Sequence, residues 1–201
     1  MAKLGIPFVH VSTDYVFAGD KPTPYVETDE RNPISVYGAS KAAGEDAVFA
    51  ATQRAAIVRT AWVYSPDRAN FVKTMLRLGA ERDEVSVVAD QIGTPTSADD
   101  LAAACIALTA RQLDGASDAF GVFHYAGREE ATWADFAEAI FNGAQKRGRR
   151  AVGVKRITTA GYPTPAKRPA NSRLDTSKIE GLGVRVRSWH EALNDCLDRL
   201  L

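Results

Sequence analysis

Apolar residues along this 201-residue chain fall into short dense runs separated by longer stretches at helical spacing. Residues 6–11 form a nearly continuous apolar run, as expected of a strand buried on both faces of a parallel sheet. Similar runs at 56–60, 85–89 and 121–126 predict three more strands. Between them lie helical patterns. Residues 35–51 place small and apolar residues at helical spacing, and 70–82 place Phe71, Met75 and Leu78 three or four apart. Ser97 reads as the N-cap of a helix to about residue 110, with Asp99 and Asp100 in its first turn. Residues 132–146 carry Trp133, Phe136, Ile140 and Phe141 on one face. The segment 18–32, rich in Gly, Pro and Asp, reads as a loop. This β/α alternation predicts the α/β class with a parallel sheet.

Beyond Arg150 the pattern changes to a short strand at 151–157, a Pro-rich stretch from Tyr162 to Pro169, and a last helix at 188–201. The expected organisation is a sheet-bearing part over residues 1–110 and a smaller α/β lobe over 111–201, the two interleaving. No internal repeat or low-complexity segment is visible.

Composition narrows the function classes. With 25 basic and 25 acidic residues the formal net charge is zero, so nothing calls for nucleic acid or a charged membrane surface as partner. The basic cluster Lys146-Arg147-Gly148-Arg149-Arg150 ends a predicted helix and suits its dipole. No apolar run approaches the ~20 residues of a membrane span. Cys105 and Cys196 both fall in helical apolar patterns and read as reduced core residues, which fits a cytoplasmic protein. His10 reads as a satisfied sheet residue. His124 and His190 lack metal-ligand spacing, so no metal site is expected.

The chemistry points to one helix. Tyr37 and Lys41 stand four apart, one turn above the other on the same face. An ammonium there favours the phenolate and turns an ordinary phenol into a usable proton donor or acceptor. The spacing alone carries little weight; its neighbours carry more. Ser12-Thr13-Asp14 follows the first strand, where open α/β sheets gather ligands, although such residues also cap turns. Trp62 follows the second strand and is core by default. Asn70 reads as a helix cap. Gln91 with Thr94-Pro95-Thr96 reads as a turn.

Together, Val9 to Phe17, Tyr37-Gly38-Ala39-Ser40-Lys41 with Gly44-Glu45, Arg59 to Tyr64, Asn70 to Met75, Asp90 to Thr96, Tyr162 to Ala166 and Arg168 to Leu174 resemble the extended short-chain dehydrogenase/reductase superfamily. Within it they resemble the dTDP-4-dehydrorhamnose reductase family. The resemblance implies the C-terminal part of a Rossmann-type parallel sheet with a small α/β substrate-binding lobe. It implies reduction of the C4 ketone of dTDP-4-dehydro-L-rhamnose by NADPH or NADH to give dTDP-L-rhamnose. Tyr37 is then the general acid, Lys41 its activator and a ligand of the nicotinamide ribose, and Thr13 a donor to the substrate carbonyl. Ser12, Tyr37 and Lys41 are the implied cofactor-side residues. Thr13, Trp62, Asn70, Gln91, Arg168, Asn171 and Arg173 are the implied substrate side, the arginines suiting a diphosphate because guanidinium binds phosphate in bidentate fashion. Two other readings are open: a different nucleotide-sugar reductase or epimerase, and a non-catalytic regulatory subunit like that of methionine adenosyltransferase.

The family's Gly-rich dinucleotide turn is absent from these residues. Relative to the family the chain starts inside the Rossmann fold, with Met1-Ala2-Lys3-Leu4-Gly5 resembling the end of a helix. The expectations are an exposed parallel sheet edge, weak NAD(P)H binding and an isolated chain that is inactive. Family homodimers, some bridged by a divalent metal through glutamates, make a homodimer an expectation too. Asp99 and Asp100 stand at the corresponding helix start.

Overall fold

The computed structural model describes residues 4–163 and 167–201. Met1–Lys3 and Thr164–Ala166, which include the expected helix end and the middle of the Pro-rich stretch, lie outside the described residues. The main sheet has three parallel strands in the order β1 (Phe8–Thr13), β2 (Ala55–Thr60) and β7 (Gly121–His124). This is the α/β architecture that the alternation predicts. Helices α1 (Val36–Ala51) and α3 (Ala98–Leu113) belong to this part. Strands β4 (Glu84–Val88) and β9 (Gly153–Ile157) instead form a separate parallel pair, packed on α2 (Phe71–Glu81) and α4 (Trp133–Lys146). Two further short pairs join β3 (Val63–Tyr64) to β6 (Thr96–Ser97) and β5 (Ile92–Gly93) to β8 (Ala131–Thr132). Helix α5 (Ser177–Gly181), a single turn, and α6 (Trp189–Leu200) close the chain.

The first strand starts and ends two residues later than its apolar run suggests. Its register with β2 runs on through Ser12↔Arg59 to Thr13↔Thr60. Val11 is 40% exposed rather than buried, because β1 is an edge and no described strand covers its outer side. Ser97 caps α3 by backbone position without a side-chain bond, a correction to its expected role. Asn70 caps α2 as its sequence suggests, while α5 has no side-chain cap. Thr132 and Asp135 form a reciprocal capping box, and Ser35 and Asn70 accept from the third residue of their helices.

The largest apolar cluster among the described residues packs α2, α4 and α6 with β4, where Phe136, Ile140, Leu197 and Val72 are fully buried and Val87 nearly so. Each such side chain contributes about 1.5–3 kcal/mol on burial. A second cluster seats α3 on the sheet through Leu101, Leu108 and Phe123.

The loop between β1 and α1 is ordered by one tyrosine. The Tyr25 hydroxyl accepts from the backbone amides of Gly19, Asp20 and Lys21, and its ring stacks 4.2 Å from Phe17. Gly19 has φ 77°, and a Cβ there would lie 2.2 Å from the Cβ of Pro169, so the C-terminal segment crosses directly over it. That segment bridges Ile92 at Asn171 and Tyr25 at Leu174, tying the loop to β5.

Candidate active site

The carboxyl end of β1 delivers Ser12 and Thr13, and a 3₁₀ turn at Asp14–Val16 leads the chain away. Helix α1 comes down on this turn. Gly38 makes that approach possible, since a Cβ there would lie 2.1 Å from the carbonyl oxygen of Tyr15. The Tyr37 ring consequently meets Tyr15 edge-on, with centroids 5.6 Å apart. Tyr37 is 55% exposed, so its phenol is open to a ligand. One turn on, the Lys41 ammonium donates to the carbonyl of Val11 at 2.7 Å.

Thr13 is buried, accepts from the Tyr15 amide and donates to Asp14 Oδ1 at 3.0 Å. Asp14 is itself buried, and its Oδ2 has no partner among the described residues. Burial pushes its carboxyl up to about 6, against the pull of hydrogen bonds from Ser172 and Thr13. Burial also raises the Tyr15 phenol, with the charge of Asp14 adding to it and Arg168 opposing. Arg168 is therefore near enough to act on this corner. Ser12 gives its hydroxyl to Glu45 of α1 at 2.5 Å.

Trp62 follows β2 at φ 48° and stacks on Trp133 with ring centroids 3.7 Å apart and an angle of 13°. The ring edge rests on Gly93, where a Cβ would lie 2.5 Å from Cε2. Trp133 also lines a cavity of about 640 Å³ with Gln91, Thr159, Tyr162, Lys167 and Arg168 above an apolar floor that includes Val85 and Val87. Gln91 is buried and donates to Thr159, whose amide and hydroxyl are held by Asp90. No carboxylate of the described residues pairs with Arg168.

The remaining substrate-side candidates are committed elsewhere. Asn70 accepts from Lys73 and donates to the carbonyls of Ser65, Asp67 and Arg68, so its amide is spent on the turn before α2. Asn171 donates to the carbonyls of Lys21 and Thr23, and accepts from Arg173. Arg173 also reaches Glu130 and the carbonyl of Pro22. This pair clasps the loop instead of standing with Arg168 in the cavity. Asp99 and Asp100 are paired with Arg199 and Arg187. No group of three or more His, Cys, Asp or Glu able to hold a metal occurs among the described residues.

Glu45, Trp133 and Thr159 have no site role assigned from the sequence, and Asp14 reads there only as part of a strand-end trio that gathers ligands or caps a turn. Glu45 offered a signal, standing four residues beyond Lys41 on the same helical face. Trp133 offered none, being indistinguishable from a core position of α4.

The whole chain, residues 1–201, matches the family described as RmlD substrate binding domain. The chain belongs to that family. Over 193 residues it is 51% identical to a dTDP-4-dehydrorhamnose reductase of Sinorhizobium fredii, the match covering 95% of this chain and 65% of the relative. A dTDP-4-dehydrorhamnose reductase structure from Clostridium acetobutylicum superposes with TM-score 0.90 at 41% identity, over 98% of this chain and 67% of that one. The Bacillus anthracis enzyme, solved in complex with NADP, gives TM-score 0.89 at 38% identity, over 98% and 66%. The RmlD-family chain thus spans about two thirds of the length of the curated relatives it matches. Among its described residues no helix is long and apolar enough to cross a membrane.

Proposed function

We propose that this chain carries the proton-donating and substrate-binding side of a dTDP-4-dehydrorhamnose reductase. The reaction is reduction of the C4 ketone of dTDP-4-dehydro-L-rhamnose to the alcohol of dTDP-L-rhamnose. The observation that carries the reading is the seating of α1 by Gly38, which leaves the Tyr37 phenol open beside the turn that holds Thr13.

Tyr37 is the proton donor to the ketone oxygen, and Lys41 the cation one turn below it. Thr13 spends its proton on Asp14 in the resting arrangement. Protonation of Asp14 reverses that bond, and the Thr13 hydroxyl then points its proton at the carbonyl. Trp62 on Trp133 forms a wall for the sugar. The cavity beside it, with an apolar floor and the cations Lys167 and Arg168 at its rim, suits a thymine base and a diphosphate. The roles of Asn70, Asn171 and Arg173 are indirect, through the turn and the clasp that shape this cavity.

A nicotinamide cofactor supplies the hydride when it is bound. The residues present fit only its nicotinamide-ribose end, at Tyr37 and Lys41. Ser12 is committed to Glu45, and the chain contains no Gly-rich turn for the pyrophosphate. Calorimetric titration tests this division: dTDP binds the chain, whereas NADPH binds more weakly than micromolar. Micromolar NADPH affinity, or no affinity for dTDP, contradicts it.

A further inference from the structure

We infer that Glu45 is a positioning residue that fixes the Tyr37–Lys41 helix relative to Ser12 and Thr13, an inference that rests on the function proposed above. Within α1 the fully buried positions are Gly38 and Glu45. The helix therefore has no broad apolar face to set its register, and polar bonds must do so. Glu45 gathers three elements onto one carboxylate. Ser12 of β1 donates at 2.5 Å, Arg59 of β2 donates from Nε at 2.9 Å and from Nη2 at 2.7 Å, and Arg31 of the preceding loop donates at 3.3 Å. Four donors fill the acceptor sites of a carboxylate. Ser12 and Arg59 are themselves paired across the sheet, one residue before Thr13 and Thr60. The carboxylate thus ties the helix to the strand ends at the level of the reacting groups.

Arg31 extends the tie by holding the carbonyl of Ala42 and the carboxylate of Asp46. Burial works to raise Glu45, yet Arg59, Ser12 and Arg31 together hold it below the usual carboxylate range. A buried ion pair is a poor source of stability, because an apolar pair of similar volume often serves as well. What an apolar pair does not reproduce is direction: the carboxylate accepts only where the Ser12 hydroxyl and the Arg59 fork meet it.

Turnover of the dTDP-linked ketone is measured on this chain joined to the third of its Sinorhizobium fredii relative that the match leaves uncovered. The variants are Glu45→Gln and the apolar pair Glu45→Leu with Arg59→Met, with Tyr37→Phe as control. The apolar pair is expected to melt within a few degrees of the parent, and Glu45→Gln lower, because it leaves the buried Arg59 guanidinium without its carboxylate. Both are expected to keep KM within about threefold while kcat falls roughly 10²-fold, the cost of a small misplacement. A purely structural role would lower the melting temperature and leave kcat of the folded fraction unmoved, and that result overturns the inference. So does collapse of both variants, which would assign Glu45 to holding the core. A silent parent, or an undiminished Tyr37→Phe, instead overturns the proposed function.

Discussion

Gly38 rests against the carbonyl oxygen of Tyr15 so closely that a Cβ would lie 2.1 Å from it. The obstacle is backbone on both sides, so no rotamer relieves it. Gly38→Ala must lift α1 off the turn and carry Tyr37 away from Thr13. Overpacking of this kind costs about 1–3 kcal/mol, and a shift of roughly 1 Å costs about 10²-fold in rate. Thermal melts and turnover of the joined polypeptide should show both losses together.

Gly93 plays the same part for Trp62. An alanine there meets the indole at 2.5 Å and pushes it off Trp133. Gly93→Ala is expected to abolish the near-ultraviolet dichroism of the stacked pair and to raise KM for the nucleotide sugar about tenfold, near 1.4 kcal/mol, with a smaller change in kcat. Retention of the dichroism with unchanged KM would remove Trp62 from the sugar wall.

Asp14 and His124 give opposed pH signatures. Burial raises Asp14 to about 6, so the native state holds that proton more tightly than the unfolded chain. Its contribution is full below the unfolded value near ~4 and is lost as pH rises to about 6. Burial and then Arg59 lower His124 to about 4, so it contributes in the opposite sense, gaining as pH rises from about 4 towards ~6.5. Asp14→Asn removes the first signature. The variant should be more stable than the parent at pH 7.5, by up to ~3 kcal/mol, and equal to it at pH 4. Denaturant melts at the two pH values check this.

Arg168 and Arg173 should separate cleanly. Arg168 is exposed at the cavity rim, so Arg168→Met is expected to weaken dTDP binding about tenfold without moving the melting temperature. Arg173 holds Glu130, Asn171 and the Pro22 carbonyl, so Arg173→Met should cost about 1–3 kcal/mol of stability. Calorimetry with dTDP and thermal melts distinguish the two.

Periodicity located every helix of two turns or more and all the longer strands, because apolar spacing is a local property. It could not report that β4 pairs with β9 outside the main sheet, since a parallel pairing some seventy residues apart leaves no local trace. The single turn of α5 is shorter than a helical repeat needs to be visible. Near the β1 end, what was legible is placement: Thr13 closes the strand, and Tyr37 and Lys41 fall one turn apart on α1. Asn171 and Arg173 looked like ligands for phosphate because their side chains are suited to it, and only the path of the chain over Gly19 directs them to the loop. His10 looked satisfied within its strand. Its Nε2 in fact has no partner among the described residues, and burial and then Lys41 lower its basicity. Asp14 looked like a turn cap, and only the fold shows it buried with no ion-pair partner among the described residues.

The proposed function stands or falls on Tyr37 as the proton donor to a sugar ketone. The direct measurement is single-turnover reduction of dTDP-4-dehydro-L-rhamnose by NADPH, using this chain joined to the third of its Sinorhizobium fredii relative that the match leaves uncovered, with and without Tyr37→Phe. The Tyr37→Phe rate is expected to be lower by about 10²–10⁴-fold with dTDP affinity unchanged. Equal rates for the two proteins would contradict it.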